Sequence, residues 1–118
     1  MTVEDLLAAA LGLPGAWLDH PWGPEDRVVK VGSRIFLFAG SEGEAEAVTV
    51  RAADLETTAV WRERYPAAVG PAPYLRGKPW NRVLVAGGGL PDDELLDLLE
   101  ESYAAVVARL PKRERPAG

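Results

Sequence analysis

Arg27-Val28-Val29-Lys30-Val31-Gly32-Ser33-Arg34-Ile35-Phe36-Leu37-Phe38-Ala39 is the stretch that decides the fold. Two β-rich runs, 27–31 and 34–39, flank Gly32-Ser33, and a two-residue loop with glycine first suits a primed hairpin turn. Closing the ribbon there predicts Val31 opposite Arg34, Lys30 opposite Ile35 and Val29 opposite Phe36. One face then carries Val29, Phe36 and Phe38. The other carries Val28, Ile35 and Leu37, with Lys30 among them. Both faces are apolar, whereas a hairpin with one side in water would alternate. One side therefore packs on helices and the other under a loop, a neighbouring segment or a partner. Against a partner, Lys30 would lay its stem over apolar neighbours and keep its ammonium wet.

Upstream, Thr2 is a helix cap with Asp5 in a capping-box position, and Leu6, Leu7, Ala10 and Leu11 make one stripe. Gly12 can end that helix in the left-handed conformation, and Pro14 prevents its resumption. Residues 16–20 read as a short strand, and His20-Pro21-Trp22-Gly23-Pro24 breaks regular structure. Downstream, Gly40-Ser41-Glu42-Gly43-Glu44 is a polar loop and residues 46–51 alternate, with Val48 and Val50 on one face and Thr49 and Arg51 on the other. Asp54 caps a second helix that runs to about Arg64, ahead of Pro66. Residues 69–73 read as irregular, and 80–86 as a last strand paired near Tyr74. Pro91 opens the final helix, with Asp92, Asp93 and Glu94 complementing its dipole. Leu95, Leu96, Leu99, Tyr103, Val106, Val107 and Leu110 form its apolar stripe. Hairpin-linked strands followed by helices predict an α+β fold: an antiparallel sheet with helices on one side.

The 118 residues fit one domain, 1–112, with 113–118 as a flexible tail. No cysteine is present, which excludes disulfides and thiolate chemistry. No apolar run approaches the ~18–20 residues of a membrane span, and the N-terminus lacks a secretory pattern, so the expected location is cytoplasmic. Net charge is −5, opposite to the sign usual for nucleic-acid binders. The charge is segregated, however. Residues 62–82 hold Arg62, Arg64, Arg76, Lys78 and Arg82 against Glu63 alone, and residues 92–101 are acidic without a basic residue. One face can thus be cationic on an anionic molecule.

Trp80 within Lys78-Pro79-Trp80-Asn81-Arg82 sets an indole among cations, a composition that can stack bases and grip phosphates. The same residues also serve as packing and a solvated rim in many domains. His20 has only Asp19, Glu25 and Asp26 for company, a poor transition-metal set, so no metal and no cofactor are expected. No serine sits in a nucleophile-elbow context. Three carboxylates at the start of the last helix would repel a phosphate from the preceding glycine run, and Gly77-Lys78-Pro79 lacks the spacing of a P-loop. An enzyme is not expected.

Leu13-Pro14-Gly15-Ala16, Pro21-Trp22-Gly23, Lys30 to Phe36, Arg62 to Pro66, Trp80-Asn81 and Ser102-Tyr103 recur in order along the chain. Together they resemble the MmcQ/YjbR family of small bacterial domains. The resemblance implies a two-layer α-β-β-β-α-β-β-α arrangement of about five strands, similar to secretion-chaperone-like folds. Family members are commonly labelled DNA-binding through likeness to a double-wing motif, which is an analogy of fold. The family often has His before the Trp, where this chain has Pro79.

Two roles follow as expectations. The first is a non-enzymatic module binding DNA or another nucleic acid weakly, with Lys30, Arg34, Arg62, Arg64, Arg76, Lys78, Trp80, Asn81 and Arg82 as candidate contacts. The second is a protein-interaction or self-associating module, a homodimer for example, that uses the apolar hairpin face. Neither role involves a membrane.

Overall fold

Residues 1–41, 47–73 and 75–116 are described by the computed structural model. Helix α1 (Val3–Leu11) starts at Thr2, whose Oγ1 accepts the Asp5 N–H at 3.1 Å while the Asp5 carboxylate accepts the Thr2 N–H at 2.9 Å. The backbone bond from Thr2, then its hydroxyl, holds the Asp5 carboxyl below its ordinary pKa. The cap's contribution is thus full above the ordinary value and is lost as pH falls through the lowered one. Gly12 does not take the left-handed form expected of it. Its φ is −80°, and the helix tightens instead through bonds from Gly12 N–H to the Ala8 and Ala9 carbonyls and from Leu13 N–H to that of Ala10. Gly15, three residues further on, takes that form instead, at φ 73°.

Strands β1 (Ala16–Asp19), β2 (Asp26–Val31), β3 (Arg34–Ser41) and β4 (Ala47–Arg51) precede α2 (Leu55–Arg64). Strands β5 (Val69–Pro71) and β6 (Trp80–Leu84) then lead to α3 (Asp92–Val107). The sheet is antiparallel, in the order β1-β2-β3-β4-β6-β5. It has six strands rather than about five. The stretch read as irregular supplies β5, which tolerates Pro71 because it is an edge strand. That strand, not the vicinity of Tyr74, is the outer partner of β6. Tyr74 and most of the polar 40–44 loop lie outside the described residues.

The Gly32-Ser33 turn forms with Gly32 at φ 57°, and Val31 faces Arg34 and Lys30 faces Ile35 as expected. The next rung does not. Val29 faces Leu37 and Val28 faces Phe38, leaving Phe36 and Ala39 as extra residues on β3. A bulge turns two successive side chains to one side. Val29, Val31, Phe36, Leu37 and Ala39 all enter the core, while Val28, Lys30, Ile35 and Phe38 share the opposite face. A hydroxyl from another layer braces the bulge. Ser102 of α3 donates to the Phe36 carbonyl at 2.6 Å and accepts the Arg51 N–H at 2.8 Å, joining β3 and β4 where their ladder ends. Both backbone groups are buried. Ser102→Ala should therefore cost about 1–3 kcal/mol, the penalty for stranding such groups, as read by urea unfolding.

The helices cover one side of the sheet. Val3, Leu6, Leu7 and Ala10 of α1, Trp61 of α2, and Leu95, Leu98, Leu99 and Val106 of α3 share one core with the strands. The last of these helices is the longest, as expected, although Pro91 caps it rather than opening it and Leu98 belongs to its stripe. Asp54 caps α2 through the Thr57 N–H at 2.7 Å. Residues 112–114 form a 3-10 turn, and Arg115 donates to the Leu110 and Ala108 carbonyls at 3.1 and 3.2 Å. The segment read as a tail thus makes contacts through Arg115.

Candidate functional site

The bulge decides what the helix-free face presents. It sends Phe36 to the helices, where the ring meets Tyr103 edge-on at 5.2 Å, and Phe38 to the other side. There Phe38 lies parallel to Trp22 at 6.0 Å and edge-on to Trp80 at 5.4 Å. Trp22 comes from the turn-rich link between β1 and β2 and is 64% exposed. Trp80 is placed by β6, whose first residue pairs with Arg51 at the end of β4. The three rings form a row across strands distant in sequence, at separations typical of favourable aromatic pairs.

Beside this row is a cleft of about 620 Å³. Its apolar floor is Ile35 and Phe38, and Leu75 and Pro79 of the link between β5 and β6 form one wall. Lys30, Arg34, Arg51, Lys78 and Arg109 also line it, and among the described residues no acidic side chain does. An adjoining apolar recess of about 360 Å³, with Trp22, Thr49 and Ala72 in its lining, shares Phe38 and Leu75 with the cleft.

The cations differ in state. Lys30 is matched: its Nζ is 2.7 Å from Asp19 Oδ2 and lies over the Trp17 ring. That bond, ahead of one from the His20 N–H, lowers the Asp19 carboxyl pKa. Arg34 and Lys78 are exposed at the rim, and Arg109 reaches it from beyond the end of α3. Arg51 is only 8% exposed, and its Nε is buried with no hydrogen-bond partner among the described residues. Burial, then the charges of Arg109 and Arg34, pushes its pKa down.

The residues expected to act together divide between the two layers. Lys30, Arg34, Lys78 and Trp80 meet in the cleft, Arg82 is exposed on the same face of β6 as Trp80, and Arg76 is exposed in the preceding link. Arg62 and Arg64 do not join them. They project from α2, where Arg62 Nε donates to Asn81 Oδ1 at 3.0 Å and Arg64 pairs with Glu94 at 3.4 Å. The region is acidic, since Glu56, Glu94, Asp97 and Glu101 line a recess of about 420 Å³ between α2 and α3. Asn81 is also corrected. It is 0% exposed and turned to the helix side, with its amide donating to Thr58 and to the Pro79 carbonyl, so it ties β6 to α2. Alternation along β6 separates it from Trp80 and Arg82.

Arg51 and Arg109 were not expected. The alternation of β4 places Arg51 with Thr49 on the face opposite Val48 and Val50, which is a usable signal. Its partner Trp80 could not be inferred without the strand order. Arg109 carries no local signal. The one histidine, His20, has Nδ1 3.0 Å from the Asp26 carbonyl oxygen.

The chain is a small two-layer α+β domain, and it belongs to the YjbR family, whose family model matches residues 11–105. It is 29% identical over 106 residues to the uncharacterized protein YbdF of Escherichia coli O157:H7, covering 90% of this chain and 84% of that one. Among solved structures it is similar to the Deinococcus radiodurans protein DR2400, a DUF419 domain, with TM-score 0.79 and 26% identity over 95% of this chain and 83% of that one. A protein from Pseudomonas syringae shares the fold at TM-score 0.65 and 18% identity, over 84% of this chain and 93% of that one.

Proposed function

We propose that the protein is a non-catalytic module that binds single-stranded nucleic acid on the helix-free face of its sheet. The observation that carries this reading is the row Trp22–Phe38–Trp80 alongside a cationic cleft with no acidic lining among the described residues. Aromatic faces stack bases of any sequence, and neighbouring cations follow the phosphates. A duplex buries its bases and would use only the cations. The net charge of −5 does not oppose local binding. The acidic recess lies on the helix side of a molecule 27 Å across at its thinnest, against a Debye length of about 8 Å at physiological salt.

The hairpin face considered for self-association is partly occupied within the chain. Val28 is buried, and Phe38 lies between Trp22 and Trp80. The test is Trp80→Ala, with binding to oligo-dT and to a duplex of equal length followed by fluorescence anisotropy. Loss of one stacked base should cost about 1–3 kcal/mol of single-strand affinity and leave duplex binding nearly unchanged. Equal losses on both would contradict stacking.

A further inference from the structure

We propose that the Arg51 end of the cleft is a site for a phosphate monoester joined to a nucleobase, meaning a nucleoside monophosphate either free or as the phosphorylated end of a strand. The strand form rests on the single-strand reading above, and the free form does not.

The first ground is the state of Arg51. Buried arginines are paired as a rule, because a guanidinium taken out of water without acceptors loses its hydration with nothing in return. Arg51 is more than nine-tenths buried, and its Nε has no hydrogen-bond partner among the described residues. Its backbone N–H is held by the Ser102 hydroxyl, and its side chain lines the cleft. Among the described residues no carboxylate lines the cleft here, and the charges that act on Arg51, Arg109 and Arg34, are of like sign. Such a cluster is unfavourable when empty and becomes favourable around an anion.

The second ground is charge count. With Lys30 matched by Asp19, four cations remain in the cleft lining among the described residues: Arg34, Arg51, Lys78 and Arg109. A mid-strand diester offers one negative charge. A monoester offers about 1.5–2 near neutral pH and three terminal oxygens, which suits a guanidinium fork with further cations around it. Arg109 also brings the C-terminal end of α3 close, whose dipole would oppose an anion. Arg115 offsets this by donating to the Ala108 and Leu110 carbonyls.

The third ground is the recess beside it. Trp22, Phe38 and Leu75 provide flat apolar surface, and Thr49 adds a hydroxyl. Phe38 and Leu75 belong to both spaces, so a base in the recess and its phosphate at Arg51 form one continuous ligand path. Volumes of about 620 and 360 Å³ fall within the range of small-molecule sites.

The test compares wild type with Arg51→Met and with the double variant Arg34→Gln/Arg109→Gln, by isothermal calorimetry. The probes are adenosine, adenosine monophosphate, and oligo-dA carrying a hydroxyl or a phosphate at its 5′ or 3′ end. Wild type should prefer adenosine monophosphate over adenosine by about tenfold or more, the worth of a charge-assisted bond, with a matching preference for one phosphorylated end. Arg51→Met should erase the preference while keeping or raising the melting temperature, because a buried Nε–H without an acceptor and a like-charge contact with Arg109 and Arg34 are removed; a purely structural arginine would give a lower one. Should Arg51→Met fail to fold, the double variant decides: loss of the preference supports the site, and retention overturns it. Equal affinity of wild type for adenosine and its monophosphate, or a preference that survives Arg51→Met, overturns the proposal. If hydroxyl-ended oligo-dA binds without any phosphate preference, the Arg51 site falls and the single-strand reading stands. If only the mononucleotide binds, in an Arg51-dependent way, the reverse holds.

Discussion

Phe36→Ala is expected to lose about 3–5 kcal/mol of folding stability, the range for truncating a buried aromatic side chain. Phe36 is 0% exposed and meets Tyr103 edge-on, so the deletion opens a void between β3 and α3. The backbone limits how far that void can collapse. The Phe36 carbonyl is held by the Ser102 hydroxyl, which also holds the Arg51 N–H. Urea unfolding of the variant is the measurement, and a loss below about 1 kcal/mol would contradict the placement of the bulge, given how such truncations scale with residual cavity. Binding should weaken as well, because the same bulge orients Phe38 toward the cleft.

Lys78→Glu with Arg82→Glu is expected to abolish single-strand binding. Lys78 lines the cleft, and Arg82 stands two residues beyond Trp80 on the same face of β6. If about three phosphates are contacted, log K should fall against log salt with a slope of about −2, since each contact to a single strand contributes about 0.7. Replacing two cations by two carboxylates removes most of that term and adds repulsion. Stability should stay within about 0.5 kcal/mol, because the side chains are exposed and make no buried contact. A salt titration by anisotropy, with thermal melts of both proteins, reads both quantities.

The local elements were legible because each is specified by neighbours in sequence. Thr2 with Asp5, Gly32-Ser33, Asp54 and Asp92 to Glu94 announce their helix ends and turn within a few residues. What escaped depends on residues far apart. The bulge at Phe36 is supported by a hydroxyl 66 positions later, so strict alternation along β3 places Phe36 correctly with Val29 but exchanges Leu37 and Phe38 between the faces. Strand β5 is three residues long and contains proline, too short for periodicity to show. The grouping of the candidate residues departs from the structure in the same way. Arg62 and Arg64 are close to Lys78 and Arg82 in sequence, but a helix on one side of the sheet carries the first pair and the other side carries the second. Asn81 sits beside Trp80 in the chain and points the opposite way. Arg51 joined the site only because β6 inserts between β4 and β5 and sets Trp80 against it.

The division of cations between faces is the central claim, and one salt titration tests it most directly. Labelled oligo-dT is titrated with wild type, with Lys78→Glu/Arg82→Glu and with Arg64→Glu, the Arg64 side chain standing 66% exposed beside Glu94 on the helix side. Wild type and Arg64→Glu should give the same affinity and a slope of about −2, with no binding by the double variant. Equal losses in Arg64→Glu and the double variant, or no binding by wild type at low salt, would contradict the assignment of binding to the helix-free face.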